Sequence, residues 1–299
     1  MHLVHIAQDS TDSDARFSPR MAVLLDDDIA FVTNPDDADA QVDLFKTSLE
    51  DLRQWCSHAA EHGERVPVAD VKTVPAPPRM IWAAGVTYKR SQEARMEESS
   101  QADVYDRVYD APRPEIFLKC ATVASSNGDP ITIRSDSNWD VPEPELTLVI
   151  NNQKEIVAFA VGNDVSSRDI EGENPLYLPQ AKMWDGSASL GSVFRLNTEG
   201  FDARNLDIEL QIRRGDDIAF EGSTNTNQLH RTFGDLVYWL HRGQNFPLGA
   251  YLMTGTGIVP PDDFTLAAGD DVTITIAHVG QLTNHVAVLD VETNSLRKN

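Results

Sequence analysis

The densest chemistry in this chain lies in Trp139-Asp140-Val141-Pro142-Glu143-Pro144-Glu145, which runs into an apolar segment over 146–150. A residue before proline is pushed out of the helical region, so Val141 and Glu143 are extended, and the prolines hold a φ that suits that shape. Residues i and i+2 of an extended segment face one side, which aims Glu143 and Glu145 together. Two carboxylates so confined repel unless a cation sits between them or one keeps its proton. An E-x-E on a strand is in general a solvated face. The next apolar run, 155–162, argues for more: it reads as a buried strand and exits into Asn163-Asp164-Val165-Ser166-Ser167-Arg168-Asp169. Charged groups crowding such an exit mark a site. A hairpin through 151–154 returns Asp164 to the start of the 143–150 strand. Three carboxylates, with no cysteine or paired histidine among them, imply a hard cation on Glu143, Glu145 and Asp164, Mg²⁺ ahead of Mn²⁺ or Ca²⁺.

These residues need a β scaffold, and the sequence supplies one. Leu206, Ile208, Leu210 and Ile212 alternate with Asp207, Glu209, Gln211 and Arg213, the period of a half-buried strand, and Gly215-Asp216-Asp217 turns it into a return over 218–221. Val272, Ile274 and Ile276 alternate with threonines, and a strand over 286–291 follows a turn around Gly280. Shorter strands are expected at 21–25 and 29–33. Helices are few: one within 42–62, where Leu44, Leu49, Leu52, Cys56 and Ala59 recur at roughly helical spacing, one around 88–98 and one around 233–241. Val74-Pro75-Ala76-Pro77-Pro78 cannot continue a helix and sets a boundary. The expectation is an α+β, β-rich fold. A small N-terminal α/β domain (1–75) precedes a catalytic domain (76–299) built as a mixed β-sandwich or β-roll, not a doubly wound parallel sheet.

The formal charge of −22 sets the partners. Such a surface repels nucleic acid and anionic lipid, so neither is expected to bind. Seven of the 25 basic residues are lysine, the rest arginine. Few lysines and many acids suit concentrated salt, where self-repulsion is screened, so a halophilic cytoplasm is expected. The opening residues lack a basic start followed by an apolar stretch, and no apolar run approaches the ~18 residues of a membrane span. Cys56 and Cys120 lie far apart in no ligand pattern, which fits reduced thiols rather than a zinc cage. His58 and His62 stand at i and i+4 on an acidic helix and read as surface residues.

The runs Val141-Pro142-Glu143-Pro144-Glu145 and Gly162-Asn163-Asp164-Val165-Ser166-Ser167-Arg168-Asp169, with Ala181-Lys182 and Tyr251-Leu252-Met253-Thr254-Gly255-Thr256-Gly257, resemble the signature of the fumarylacetoacetate hydrolase superfamily. The resemblance spans about residues 81 to 291. It implies a β-roll, Mg²⁺ on Glu143, Glu145 and Asp164, Arg168 and Lys182 beside the metal, and an α-keto acid held at Gly255 and Thr256. Lys119, in Pro114-Glu115-Ile116-Phe117-Leu118-Lys119, joins Arg168, Gly255 and Thr256 as an expected substrate-binding residue. It also implies a homodimer or homotetramer.

Hydrolytic members carry a His and, three residues on, a Glu after a Gly-x-x-Tyr segment. Here Gly85-Val86-Thr87-Tyr88 is followed by Ser91 and Ala94 at those places, and neither can act as a general base. Glu93 or Glu97 could substitute only if the register slips. The segments 90–99, 105–110 and 173–182 are similar instead to the branch that dehydrates 2-keto-3-deoxy-pentonates to 2,5-dioxopentanoate. The implied activity is that of a Mg²⁺-dependent hydro-lyase acting on a small 2-keto-3-deoxy sugar acid. Lys182, with a pKa lowered beside the cation, is the expected base, and Glu115 is expected to move the proton at the leaving hydroxyl; a strand-edge charge is the other reading of Glu115. Hydrolysis of acylpyruvates on the same metal site, and a non-catalytic scaffold, are the competing expectations.

Overall fold

The computed structural model describes residues 1–6, 20–25, 28–31, 42–70, 72–98 and 102–289. Strands β1 (His2–Ile6), β2 (Arg20–Leu24), β3 (Asp28–Phe31) and β4 (Glu64–Pro67) pair antiparallel in sequence order, and β5 (Thr73–Val74) pairs with β1. Helix α1 (Leu49–His62) stands between β3 and β4 in the chain, and the Ser48 hydroxyl caps it by accepting the Asp51 N–H. Leu52, Trp55, Cys56 and Ala59 form its buried stripe. The helix begins later than residue 42 because Asp43 closes a turn first. Its side chain accepts the Phe45 N–H and its carbonyl accepts those of Lys46 and Thr47.

After the proline segment come β6 (Ile81–Gly85), helices α2 (Lys89–Glu98) and α3 (Ala102–Tyr109), then β7 (Glu115–Cys120), β8 (Ile131–Arg134) and β9 (Asp140–Val141). A hairpin of β10 (Pro144–Ile150) and β11 (Ile156–Asp164) follows, with β12 (Ser166–Ser167) and the short helices α4 (Arg168–Glu173) and α5 (Leu178–Lys182) at its exit. The chain closes through β13 (Ala188–Leu190), β14 (Val193–Leu196), β15 (Asp207–Arg214), β16 (Asp217–Asn225), α6 (Phe233–Leu240), β17 (Ala250–Met253), β18 (Asp270–Ile276) and β19 (Gly280–Leu289).

A twelve-stranded sheet runs β4-β3-β2-β1-β14-β11-β10-β17-β6-β7, with β13 beside β11, and a five-stranded sheet runs β16-β15-β18-β19-β8. Most pairings are antiparallel; β17 with β6 and β19 with β8 are parallel. This is the strand-rich, mixed architecture that the alternating patterns imply. Because β1 is hydrogen-bonded to β14, the N-terminal strands extend the sheet that carries the carboxylates. β19 starts at Gly280, earlier than its apolar run, because its polar residues find partners: Thr283 meets the Thr273 hydroxyl, and Asn284 donates to the carbonyls of Ser126 and Asp129. The last part of that run, from 290, lies outside the described residues.

β10 is buried along its whole length and sits between two cores. Leu146, Leu148 and Ile150 pack with Ile208, Leu210 and Ile212 of β15 and with Val272, Ile274 and Ile276 of β18. Val149, on the other face, packs with Leu52, Trp55 and Cys56 of α1. Each such apolar side chain contributes about 1.5–3 kcal/mol on burial, so the strand's register is firmly held. Pro144 occupies the first strand position, where the missing N–H costs the ladder least.

Candidate active site

The β10–β11 ladder sets Pro144 opposite Asn163 and Glu145 opposite Gly162, which returns Asp164 to the level of Glu143. The Asp164 N–H donates to the Glu143 carbonyl at 3.0 Å, and the Glu143 N–H donates to Asn163 Oδ1 at 3.1 Å. β12 pairs with β9 across the same corner, Ser166 opposite Val141. One oxygen from each of Glu143, Glu145 and Asp164 lies within 4.8 Å of the others, and all three residues are buried. No other group of three or more potential metal ligands occurs among the described residues.

The electrostatics match a cation's place. Burial, then Asp164 and Glu143, push the Glu145 carboxyl well above the usual carboxylate range, although the Gly255 N–H donates to its Oε2 at 2.5 Å. Asp164 Oδ2 is buried with no hydrogen-bond partner. Burial alone would raise Glu143 as well, but Lys182 and Arg95 outweigh it and hold that carboxyl low. A compact, all-oxygen donor set under mutual repulsion fits Mg²⁺.

Cations ring the cluster. Lys182 Nζ is 2.7 Å from Glu143 Oε2 and 3.6 Å from Asp164 Oδ2, and it donates to Ser166 Oγ at 2.6 Å. Arg95 Nη2 is 2.5 Å from Glu143 Oε1, and Arg168 Nε stands 3.5 Å from the same oxygen. Asp169 does not pair with Arg168. Its carboxylate accepts from the hydroxyls of Ser137 and Ser167 and from the N–H groups of Asn138 and Ile170, leaving Arg168 to turn inward.

A pocket opens onto the three carboxylates, and Lys182, Glu115, Gly255 and Thr256 are among the residues that line it. Burial, then the Glu171 charge, raise the Glu115 carboxyl to about 7, a value suited to proton transfer near neutral pH. Gly255 has φ 94°, and a Cβ there would stand 1.9 Å from Thr87 Oγ1, so the turn admits only glycine.

Three expectations change. The protein groups around Lys182 do not by themselves lower it: burial favours the neutral amine, but Asp164, Glu143 and Glu171 outweigh burial and hold the ammonium above its ordinary range. Lys119 does not reach the cavity. Its ammonium is fully buried, 2.6 Å from Asp164 Oδ1, and donates to the carbonyls of Val165 and Lys182, so it braces Asp164 instead of meeting a ligand. Glu93 and Glu97 are exposed on the outer side of α2. The face of that helix turned to the cavity carries Ser91 and Arg95, one turn apart.

Arg95, Glu171 and Ser166 are site residues that motif reading missed. Arg95 and Glu171 are joined across the wall, Nε to Oε1 at 3.1 Å. The available signal was spacing: Glu171 follows Arg168 by one helical turn, and Arg95 follows Ser91 by one.

Known proteins resemble this chain along most of its length. Residues 80–287 match the fumarylacetoacetate (FAA) hydrolase C-terminal domain. A probable 2-keto-3-deoxyxylonate dehydratase of Haloferax volcanii is 43% identical over 247 residues, 82% of this chain and 85% of that protein. A 2-dehydro-3-deoxy-D-arabinonate dehydratase of Saccharolobus solfataricus is 40% identical over 219 residues, 72% of this chain and 74% of that protein. Among solved structures, a 2-keto-3-deoxy-D-arabinonate dehydratase complexed with magnesium and 2,5-dioxopentanoate superimposes with a TM-score of 0.75. That pair is 30% identical, covering 97% of this chain and 100% of the other. The chain belongs to the fumarylacetoacetate hydrolase family.

Proposed function

We propose that this protein is a Mg²⁺-dependent hydro-lyase that converts a 2-keto-3-deoxy-pentonate to 2,5-dioxopentanoate in oxidative pentose breakdown. The observation that carries the reading is the three-carboxylate cluster opening onto a cavity whose walls hold Lys182 and Glu115. The dehydratase relatives support it. Oxidation at C2 and loss of the C3 hydroxyl erase the two centres at which arabinonate and xylonate of one stereochemical series differ, so both relatives' names describe the same keto acid.

Glu143, Glu145 and Asp164 would hold Mg²⁺, which would supply Lewis acidity toward an α-keto acid. The Gly255-Thr256 turn holds the keto-acid end of the substrate. Lys182 takes a C3 proton; the surrounding carboxylates oppose release of its own proton until their charge is neutralised. Glu115 gives a proton to the C4 hydroxyl, which departs as water. The C–H and O–H protons at C5 then relocate to C4 and C3, leaving the aldehyde. Arg168 acts through Glu143, and Lys119 through Asp164. Hydrolysis of an acylpyruvate lacks its base here, because Ser91 and Ala94 stand where the His and Glu of hydrolytic members would, while Glu93 and Glu97 are exposed. A non-catalytic scaffold has no use for three buried carboxylates, which cost stability without a cation.

The reading extends to a halophilic cytoplasm and a homodimer or homotetramer, with residues 1–75 serving packing or assembly. No helix among the described residues is long and apolar enough to cross a membrane. The test is a turnover assay with 2-keto-3-deoxypentonate and Mg²⁺ at high salt, following 2,5-dioxopentanoate by coupled oxidation to 2-oxoglutarate. EDTA-sensitive product is expected; none from folded, Mg²⁺-loaded protein would overturn the reading.

A further inference from the structure

One buried group in the cavity wall touches no substrate atom in the chemistry above. Glu171, on α4, is only 4% exposed. Its Oε1 is tied to Arg95 Nε at 3.1 Å, and Arg95 reaches on to Glu143 Oε1, so the carboxylate is held at a fixed offset from the cation site. Its Oε2 has no hydrogen-bond partner, and Lys182 Nζ stands 4.0 Å away, beyond hydrogen-bonding reach. A buried carboxylate oxygen left bare is costly, and one in the wall of a cavity can be satisfied by a donor on the ligand.

That donor follows from the chemistry of the proposed substrate, on which this inference rests. The carboxylate and 2-keto oxygen are acceptors and belong at the cation. The only donors left are the hydroxyls on C4 and C5. Glu115 and Glu171 line the same cavity, and Glu171 is the neighbouring charge that acts most strongly on Glu115. Two adjacent carboxyl groups therefore face two adjacent hydroxyls. Glu115 donates to the departing C4 hydroxyl, which leaves the C5 hydroxyl for the acceptor.

We infer that Glu171 is a specificity-determining residue whose free Oε2 accepts a hydrogen bond from the substrate's terminal C5 hydroxyl, with Arg95 as the positioning residue that holds it. The contact selects hydroxymethyl-ended keto acids over methyl-ended ones of equal length.

Two unreactive ligands isolate that contact. Neither 5-hydroxy-2-oxopentanoate nor 2-oxopentanoate carries a C4 hydroxyl to lose, and they differ only at C5. Calorimetric titration of the Mg²⁺-loaded protein should show the hydroxylated acid binding at least about tenfold tighter, the range of a hydrogen bond to a charged acceptor. Glu171→Gln keeps an acceptor for Arg95 but loses the charge, and should cut that ratio to about threefold or less. A purely structural role would weaken both ligands equally and leave the ratio intact, which would overturn the inference. So would a ratio near one in the unmutated protein, whatever the variant does. Failure of both acids to bind would overturn the keto-acid reading itself and this inference with it.

Discussion

Gly85 lies opposite Glu115 in the β6–β7 ladder, and a Cβ at position 85 would stand 2.0 Å from Glu115 Oε2. The missing side chain is what lets the Glu115 carboxyl fold back over its neighbouring strand and into the cavity. Gly85→Ala should therefore lower kcat at least about a hundredfold, the usual result of displacing a reacting group by an ångström. Mg²⁺ affinity, measured by calorimetry, should stay within a few-fold, because the three atoms nearest that Cβ all belong to Glu115 and none to Glu143, Glu145 or Asp164. Unchanged kcat would mean that Glu115 is not a proton donor.

The Glu115 carboxyl, raised to about 7 by burial and by Glu171, sets a pH dependence. Its working form is the acid. Activity should be retained below that value and decline as pH rises through it and the proton is lost. In Glu115→Gln, residual activity should lose that limb of the profile while keeping any other. A limb that survives the substitution belongs to a different group.

Glu145 is the carboxylate whose surroundings, burial first and then Asp164 and Glu143, most oppose its ionisation without a cation. Glu145→Gln should leave the metal-free protein no less stable than the parent, since it removes a source of repulsion. Adding Mg²⁺ at a hundred times its Kd should stabilise the parent by about 2.7 kcal/mol, and the variant should lose most of the corresponding rise in Tm. A full Mg²⁺-induced shift in the variant would remove Glu145 from the metal site.

Lys182→Met removes the ammonium and retains the aliphatic stem that passes Phe117, whose ring centre is 5.5 Å from Nζ. Turnover should disappear while Mg²⁺ still binds, because Glu143 keeps Arg95 and Arg168 beside it. Near-normal rates would exclude Lys182 as the base.

The charge of −22 makes a solvent prediction. Lowering salt lengthens the Debye length from about 3 Å at 1 M to about 10 Å at 0.1 M, exposing like charges to one another. Thermal unfolding should shift down steeply over that range. A Tm independent of salt would count against a halophilic setting.

The clustering of Glu143, Glu145 and Asp164 was legible from local sequence because local rules place them. Proline on both sides of Glu143 forces extension, the two-residue strand period aims Glu143 and Glu145 one way, and a short hairpin brings Asp164 back. Alternating apolar residues in β15 and β18 likewise announced a half-buried sheet. Only the tertiary structure decided the roles of the cations and the far wall. Lys119 and Lys182 both follow apolar or proline-rich runs, and nothing local says that one is saturated by carbonyls while the other faces the cavity. Glu93, Arg95 and Glu97 share one short helix, and which of them points inward depends on how α2 packs against α4. Glu171 and Arg95, 76 positions apart in the chain, meet only because two helices cover the same end of the β10–β11 hairpin. Steric and periodic constraints act within a few residues and can be read along a chain. The balance of burial against charge, which governs Glu115, Glu145 and Lys182, exists only once distant segments have closed around them.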